Sequence, residues 1–147
     1  MESCFNTVSS LRESLRTWQS ISGFSDLFSY LSTFILFENC TIFSLSKITN
    51  KLEEIATYNK KADMISHISF KYGNGLSAWN ASKKRCLHLN NIQYEYYTDE
   101  PKIHSFLSLP IMNKNKVIGV INFSHTNPNA FESEGVDRLR ELFQCRM

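Results

Sequence analysis

Residues 105–124 read SFLSLPIMNKNKVIGVINFS, two apolar runs separated by a short polar stretch. The first run holds β-branched and apolar residues suited to a strand, and Asn113-Lys114-Asn115-Lys116 supplies a turn. The second run stays apolar on both faces until Asn122. A strand without clean polar alternation is usually covered on both sides. The two runs therefore predict an antiparallel hairpin in the middle of a sheet. No other part of the chain restricts the fold as much.

The flanking segments supply the rest of the layout. Val8, Leu11, Leu15 and Trp18 form one apolar seam on a short helix. Phe24, Leu27, Phe28, Leu31 and Ile35 form a second, with Ser25 placed to cap its start. Residues 40–46 read as a strand, 47–51 as a turn and 52–58 as a weaker strand. Gly73-Asn74-Gly75 breaks the chain before a two-turn helix at 76–82. A short strand at 86–89 leads into a polar, tyrosine-rich loop at 90–102. After the hairpin, Val136, Leu139, Leu142 and Phe143 mark a last helix. Consecutive strands with short turns and segregated helices predict an α+β fold.

At 147 residues the chain is about the size of one domain. Eleven Phe and six Tyr predict an aromatic core or pocket. The net charge of +2 gives no basic stripe, so nucleic-acid binding is not expected. Residues 24–45 are too polar for a membrane span, and the N-terminus lacks the pattern of a signal peptide. Cys4, Cys40, Cys86 and Cys145 form no CxxC pair. These features together predict a cytoplasmic protein.

Three pieces of sequence, in this order and spacing, resemble the GAF domain family. They are Gly73-Asn74-Gly75-Leu76-Ser77-Ala78-Trp79, Ser105-Phe106-Leu107-Ser108-Leu109-Pro110-Ile111, and Val117-Ile118-Gly119-Val120-Ile121-Asn122-Phe123 with Ala130-Phe131 beyond it. The resemblance covers residues 24–143. It implies a GAF-like, PAS-related central antiparallel sheet of five to six strands. N- and C-terminal helices would pack on one face, and a ligand pocket with a short helix and loops would lie over the other. It divides a single 1–147 domain into a helical segment at 7–36, sheet and pocket at 40–126, and a C-terminal helix at 131–144. It also implies a sensory or regulatory module, often a homodimer through its terminal helices. Gly135 departs from the family, which usually has an acidic residue there, and glycine costs up to about 1 kcal/mol in a helix.

Candidate site residues follow from chemistry and from this resemblance. Tyr94, Tyr96 and Tyr97 pair an apolar ring with a hydroxyl and suit a lid over a mixed ligand. Trp79 on the short helix and His104 before the hairpin border the same space, and Phe106, Ser108 and Asn122 would floor it. Each has a plainer reading as packing, and Asn122, if buried, needs a hydrogen bond whatever its role. Gly73–Ala78 matches GxGxxA, but no βαβ unit surrounds it, so it reads as a turn rather than a nucleotide site. Cys86 and His88 share a strand face and with His104 form a weak metal or redox candidate.

Some members of the family are free methionine sulfoxide reductases working through cysteines in pocket loops. Here neither Gly73–Leu76 nor residues 90–102 contain cysteine, so no enzyme activity is expected. The resemblance chooses no ligand, and the cofactor stays unknown. The expectation is a sensor of an unidentified small molecule that controls an effector domain or partner protein. The alternatives are a ligand-free dimerisation module and a thiol-dependent reductase.

Overall fold

The computed structural model describes residues 24–45, 52–59, 85–94 and 102–143. Helix α1 spans Phe24–Leu31, followed by strands β1 (Asn39–Leu45), β2 (Leu52–Tyr58), β3 (Leu87–Leu89), β4 (Ser105–Asn113) and β5 (Lys116–His125), then helix α2 (Ser133–Leu142). The five strands form one antiparallel sheet in the order β2-β1-β5-β4-β3. The predicted hairpin is β4–β5, and both its strands are interior. All of β4 before Asn113 is buried, as expected of a strand covered on both faces.

The turn at Lys114-Asn115 holds both residues at positive φ, 50° and 67°. This left-handed pair has the twist that joins two antiparallel strands directly, and asparagine tolerates it well. The ladder then slips: Ile111 pairs with Gly119 but Met112 pairs with Val117. Ile118 is the extra residue of this bulge and joins the helix-side core. A second slip in β2 leaves Ile55 unpaired between Ala56 and Glu54, and β2 is an edge strand of the sheet. A bulge with exposed glutamates discourages further strand pairing at that edge.

Helix α1 buries Leu27, Phe28 and Leu31 on one face. It ends at Leu31, short of the seam's Ile35, because Ser32 and Thr33 turn their hydroxyls onto the carbonyls of Ser29 and Tyr30 at 2.6 and 2.7 Å. Ile35 still reaches the core from the following turn. Ser25 lies inside the helix, where backbone dihedrals are helical, so it is not the expected N-cap. Helix α2 starts at Ser133 from an N-cap, Glu132, that makes no side-chain bond to the backbone. Its Val136 and Leu139, with Phe143 just beyond, pack into the same core as α1.

Gly135 occupies the first turn of α2, and its absent side chain has a use that its helix propensity conceals. A Cβ there would lie 2.1 Å from the Phe34 carbonyl oxygen and 2.8 Å from Ile35 Cγ2. Only glycine lets α2 approach the α1–β1 connection this closely. The seam at Val8–Trp18, the turn and helix at 73–82, and Tyr96 and Tyr97 lie outside the described residues, so the dimer and lid expectations built on them rest on sequence alone.

Candidate functional site

Register and alternation divide the strand residues between two faces. Cys40, Ile42, Leu107, Leu109, Ile111, Ile121 and Phe123 face the helices and share one apolar cluster with α1 and α2. The intervening residues face the other way. There, Thr41 pairs with both Thr57 and Asn122, and Asn122 pairs with Ser108. One step along, Asn39 pairs with Ser124. Four strands thus line up one polar residue each, about 14 Å from β2 to β4 at the usual strand spacing. Asn39, Thr41, Ser108, Asn122 and Ser124 are all buried.

Buried hydroxyls and amides are costly unless paired. The Thr57 hydroxyl reaches that of Thr41 at 3.5 Å. Neither Ser108 nor Asn122 is without a partner. Asn39 Oδ1 and Ser124 Oγ, side by side in the register, are buried with no hydrogen-bond partner among the described residues. Beside this row a second apolar cluster joins Ile103 and Phe106 with Leu87, Leu89 and Ile92. The face therefore offers a neutral polar centre with an apolar flank, a pairing that suits small organic ligands.

Of the residues singled out from sequence, Phe106, Ser108 and Asn122 lie on this face. Tyr94 and His104 have local partners instead. The Tyr94 hydroxyl donates to the Ile103 carbonyl at 2.6 Å, its ring stands edge-on to His104 at 5.7 Å, and Lys102 Nζ sits 4.4 Å above it. Burial pushes the Tyr94 hydroxyl pKa up, so it remains a donor at neutral pH. His104 Nδ1 lies 2.9 Å from the Ile92 carbonyl, which can only accept, so Nδ1 carries the proton. These bonds fasten the 92–94 segment to the start of β4. Trp79, Tyr96 and Tyr97 lie outside the described residues.

Asn39, Thr41 and Ser124 are members of the row that sequence reasoning missed. The alternation Asn39-Cys40-Thr41-Ile42 is a legible two-sided pattern, but the register that aligns it with Asn122 and Ser124 is not local.

Cys86 and His88 share a face, as alternation requires, and it is the helix side. Cys86 packs against the helix-side core and the His88 ring lies 6.1 Å from that of Phe131. His104, by contrast, lies with Tyr94 and Ile92. Among the described residues no group of three or more His, Cys, Asp or Glu side chains is placed to hold a metal ion. Burial lowers the His88 pKa from 6.5, and its Nε2 has no partner among the described residues. Its contribution to stability is therefore complete above the unfolded value. It falls as pH drops below 6.5, where the unfolded chain binds the proton more readily. The thermal midpoint of the parent is expected to fall more steeply than that of His88→Gln between about pH 6.5 and 5. Parallel melting profiles would remove His88 from the acid response.

The profile of the GAF domain family matches residues 24–144. No curated protein matches the chain. Among solved structures, the GAF domain of a phosphoenolpyruvate-protein phosphotransferase from Acinetobacter superposes with a TM-score of 0.60 at 20% identity, covering 92% of this chain and 86% of that one. The GAF domain region of a putative membrane protein from Geobacter sulfurreducens PCA gives 0.61 at 17% identity, with coverages of 81% and 87%. A type II free methionine-R-sulfoxide reductase from Thermoplasma acidophilum gives 0.59 at 20% identity, with coverages of 78% and 79%. At these identities the likeness is one of fold.

Proposed function

Since the chain belongs to the GAF domain family, we infer that it is a sensory or regulatory module that binds a small molecule over the sheet face opposite its helices. The observation that carries this reading is the buried polar row from Thr41 through Asn122 to Ser108, with Asn39 and Ser124 beside it. Asn39 Oδ1 and Ser124 Oγ have no partner among the described residues, and a buried polar group left unpaired costs about 1–3 kcal/mol, a cost that packing alone gives no reason to bear. The row has no charged member, which favours a neutral or weakly polar ligand group at its centre. Phe106 and its apolar neighbours would take the ligand's hydrophobic part. The bonds that fasten residues 92–94 to β4 offer a path from an occupied face to the chain beyond it, and so to an effector domain or partner protein.

The thiol-reductase reading is less well supported. Both described cysteines, Cys40 and Cys86, lie on the helix side, away from the polar row. Burial holds the Cys40 thiol pKa well above its ordinary value, so little of the nucleophilic thiolate is present. Cys40 carries a buried thiol outside any disulfide, in keeping with a reducing, cytoplasmic setting.

A thermal-shift panel of small neutral metabolites, nucleosides and amino-acid derivatives tests the sensor reading. A ligand at a hundred times its Kd stabilises the fold by about 2.7 kcal/mol. For a chain of this size that raises the midpoint by roughly 5–10 °C. A panel in which no compound raises it contradicts the reading.

A further inference from the structure

His125, the last residue of β5, lies between two partners that suit opposite protonation states. The Asn127 backbone N–H is 2.9 Å from Nδ1 and can only donate, so Nδ1 holds its lone pair and the ring proton sits on Nε2. The Glu38 carboxylate is 3.4 Å from the same nitrogen and, ionised, can only accept. A bare Nδ1 has nothing to give Glu38. A protonated Nδ1 has nothing to accept from Asn127.

Both alternatives are prepared by surrounding bonds. Glu38 Oε1 accepts the Thr126 N–H at 2.5 Å, the Glu38 N–H donates to the Ser124 carbonyl at 2.9 Å, and the Glu38 carbonyl accepts from Asn59 Nδ2 at 3.1 Å. From β4, Ser105 stands opposite His125, and the His104 N–H donates to the His125 carbonyl at 2.9 Å. Among the described residues, Glu38 is the charged group within ion-pair range of the ring. The side chains are 18% exposed for His125 and 40% for Glu38, so solvent can deliver a proton without unfolding.

The loop after β5 is clamped at further points. Ser105 Oγ donates to the Asn127 carbonyl at 2.6 Å and accepts the Ala130 N–H at 3.0 Å, and the Asn129 N–H donates to the Asn90 carbonyl at 2.7 Å. Asn90 opens the segment that runs to Tyr94 beside the polar face. We propose that His125 is a proton switch on this clamp. A proton from solvent adds to the Nδ1 lone pair, and Nδ1 exchanges the Asn127 N–H for the Glu38 carboxylate. The 126–130 loop thereby loses one anchor and loosens its hold on Asn90. The switch does not depend on which ligand, if any, the polar face binds.

Amide NMR of the full ¹⁵N-labelled chain from about pH 8 to 5 tests this, across the range where histidine titrates. The Asn127 and Thr126 amide shifts are expected to move together with the His125 ring signals, with Asn129 following. In His125→Gln the Asn127 amide should lose that pH dependence. Glu38→Gln keeps an acceptor for Thr126 but removes the charge, so the loop transition should move to lower pH. Raising ionic strength on the unmodified chain should move it the same way, because the pair is partly exposed, and this arm needs no variant to fold. An Asn127 amide that stays fixed while the His125 ring titrates would overturn the proposal. So would a loop transition indifferent to both salt and Glu38→Gln.

Discussion

Replacing Gly135 by alanine is expected to destabilise the protein, although the position is helical and alanine is the better helix former. Propensity alone favours alanine by about 1 kcal/mol. Against that gain, the new methyl would lie 2.1 Å from a backbone oxygen, that of Phe34, and 2.8 Å from Ile35 Cγ2. A flexible side-chain tip could move aside. A carbonyl in the α1–β1 connection moves only if α2 or the connection shifts with it. Overpacking of this kind costs about 1–3 kcal/mol and sometimes more. At 2.1 Å from a backbone atom the cost lies at the upper end of that range, about 3 kcal/mol, so packing outweighs propensity by about 2 kcal/mol. The thermal midpoint should drop by roughly 4–8 °C for a chain of this length. A midpoint equal to or above the parent's would show that the contact between α2 and Phe34 is not tight.

Two serines on the central hairpin should respond in opposite directions to the same change. Ser105 and Ser124 are both fully buried, on β4 and β5. Ser105 Oγ donates to the Asn127 carbonyl at 2.6 Å and accepts from the Ala130 amide at 3.0 Å. Ser105→Ala leaves two backbone groups without that partner, at a cost of about 2–3 kcal/mol. Ser124 Oγ has no partner among the described residues. Ser124→Ala removes a buried unpaired hydroxyl with little change of volume, so stability should hold or rise by about 1 kcal/mol. The two variants should differ by roughly 2–4 kcal/mol in denaturant titrations with unchanged m-values. Equal losses would mean that Ser124 has a structural partner and that its burial needs no ligand to explain it. A functional residue kept at a cost to stability is the pattern expected of a binding site.

The hairpin was legible because its signals are local. Two apolar runs and the Asn113–Lys116 turn define it within residues 105–124, and the strands appear at 105–113 and 116–125. The edge strand β2 carries a weaker signal, and it too appears at the expected residues 52–58. The polar row was not. Thr41 and Asn122 lie far apart in sequence and meet only through the β1–β5 register, which local pattern does not determine. Asn122 stood out as a polar residue in an apolar strand, whereas Thr41 and Ser124 looked like ordinary strand residues. In the sequence Gly135 is only a departure from the family and a poor helix former, since a close approach by Phe34 leaves no local signature. Tyr94 was recognised as a residue of interest, but its bond to the Ile103 carbonyl depends on a fold-back of the chain.

The central claim is that function resides on the polar face and not on the helix side. It is tested most directly by repeating the ligand thermal-shift measurement on two paired variants. Asn39→Ala/Ser124→Ala alters the polar face, and Cys40→Ala/Cys86→Ala alters the helix side and removes both described thiols. A compound that stabilises the parent should lose most of its shift on the first variant and keep it on the second. A shift that survives the first and disappears in the second would place the site with the cysteines and contradict the account.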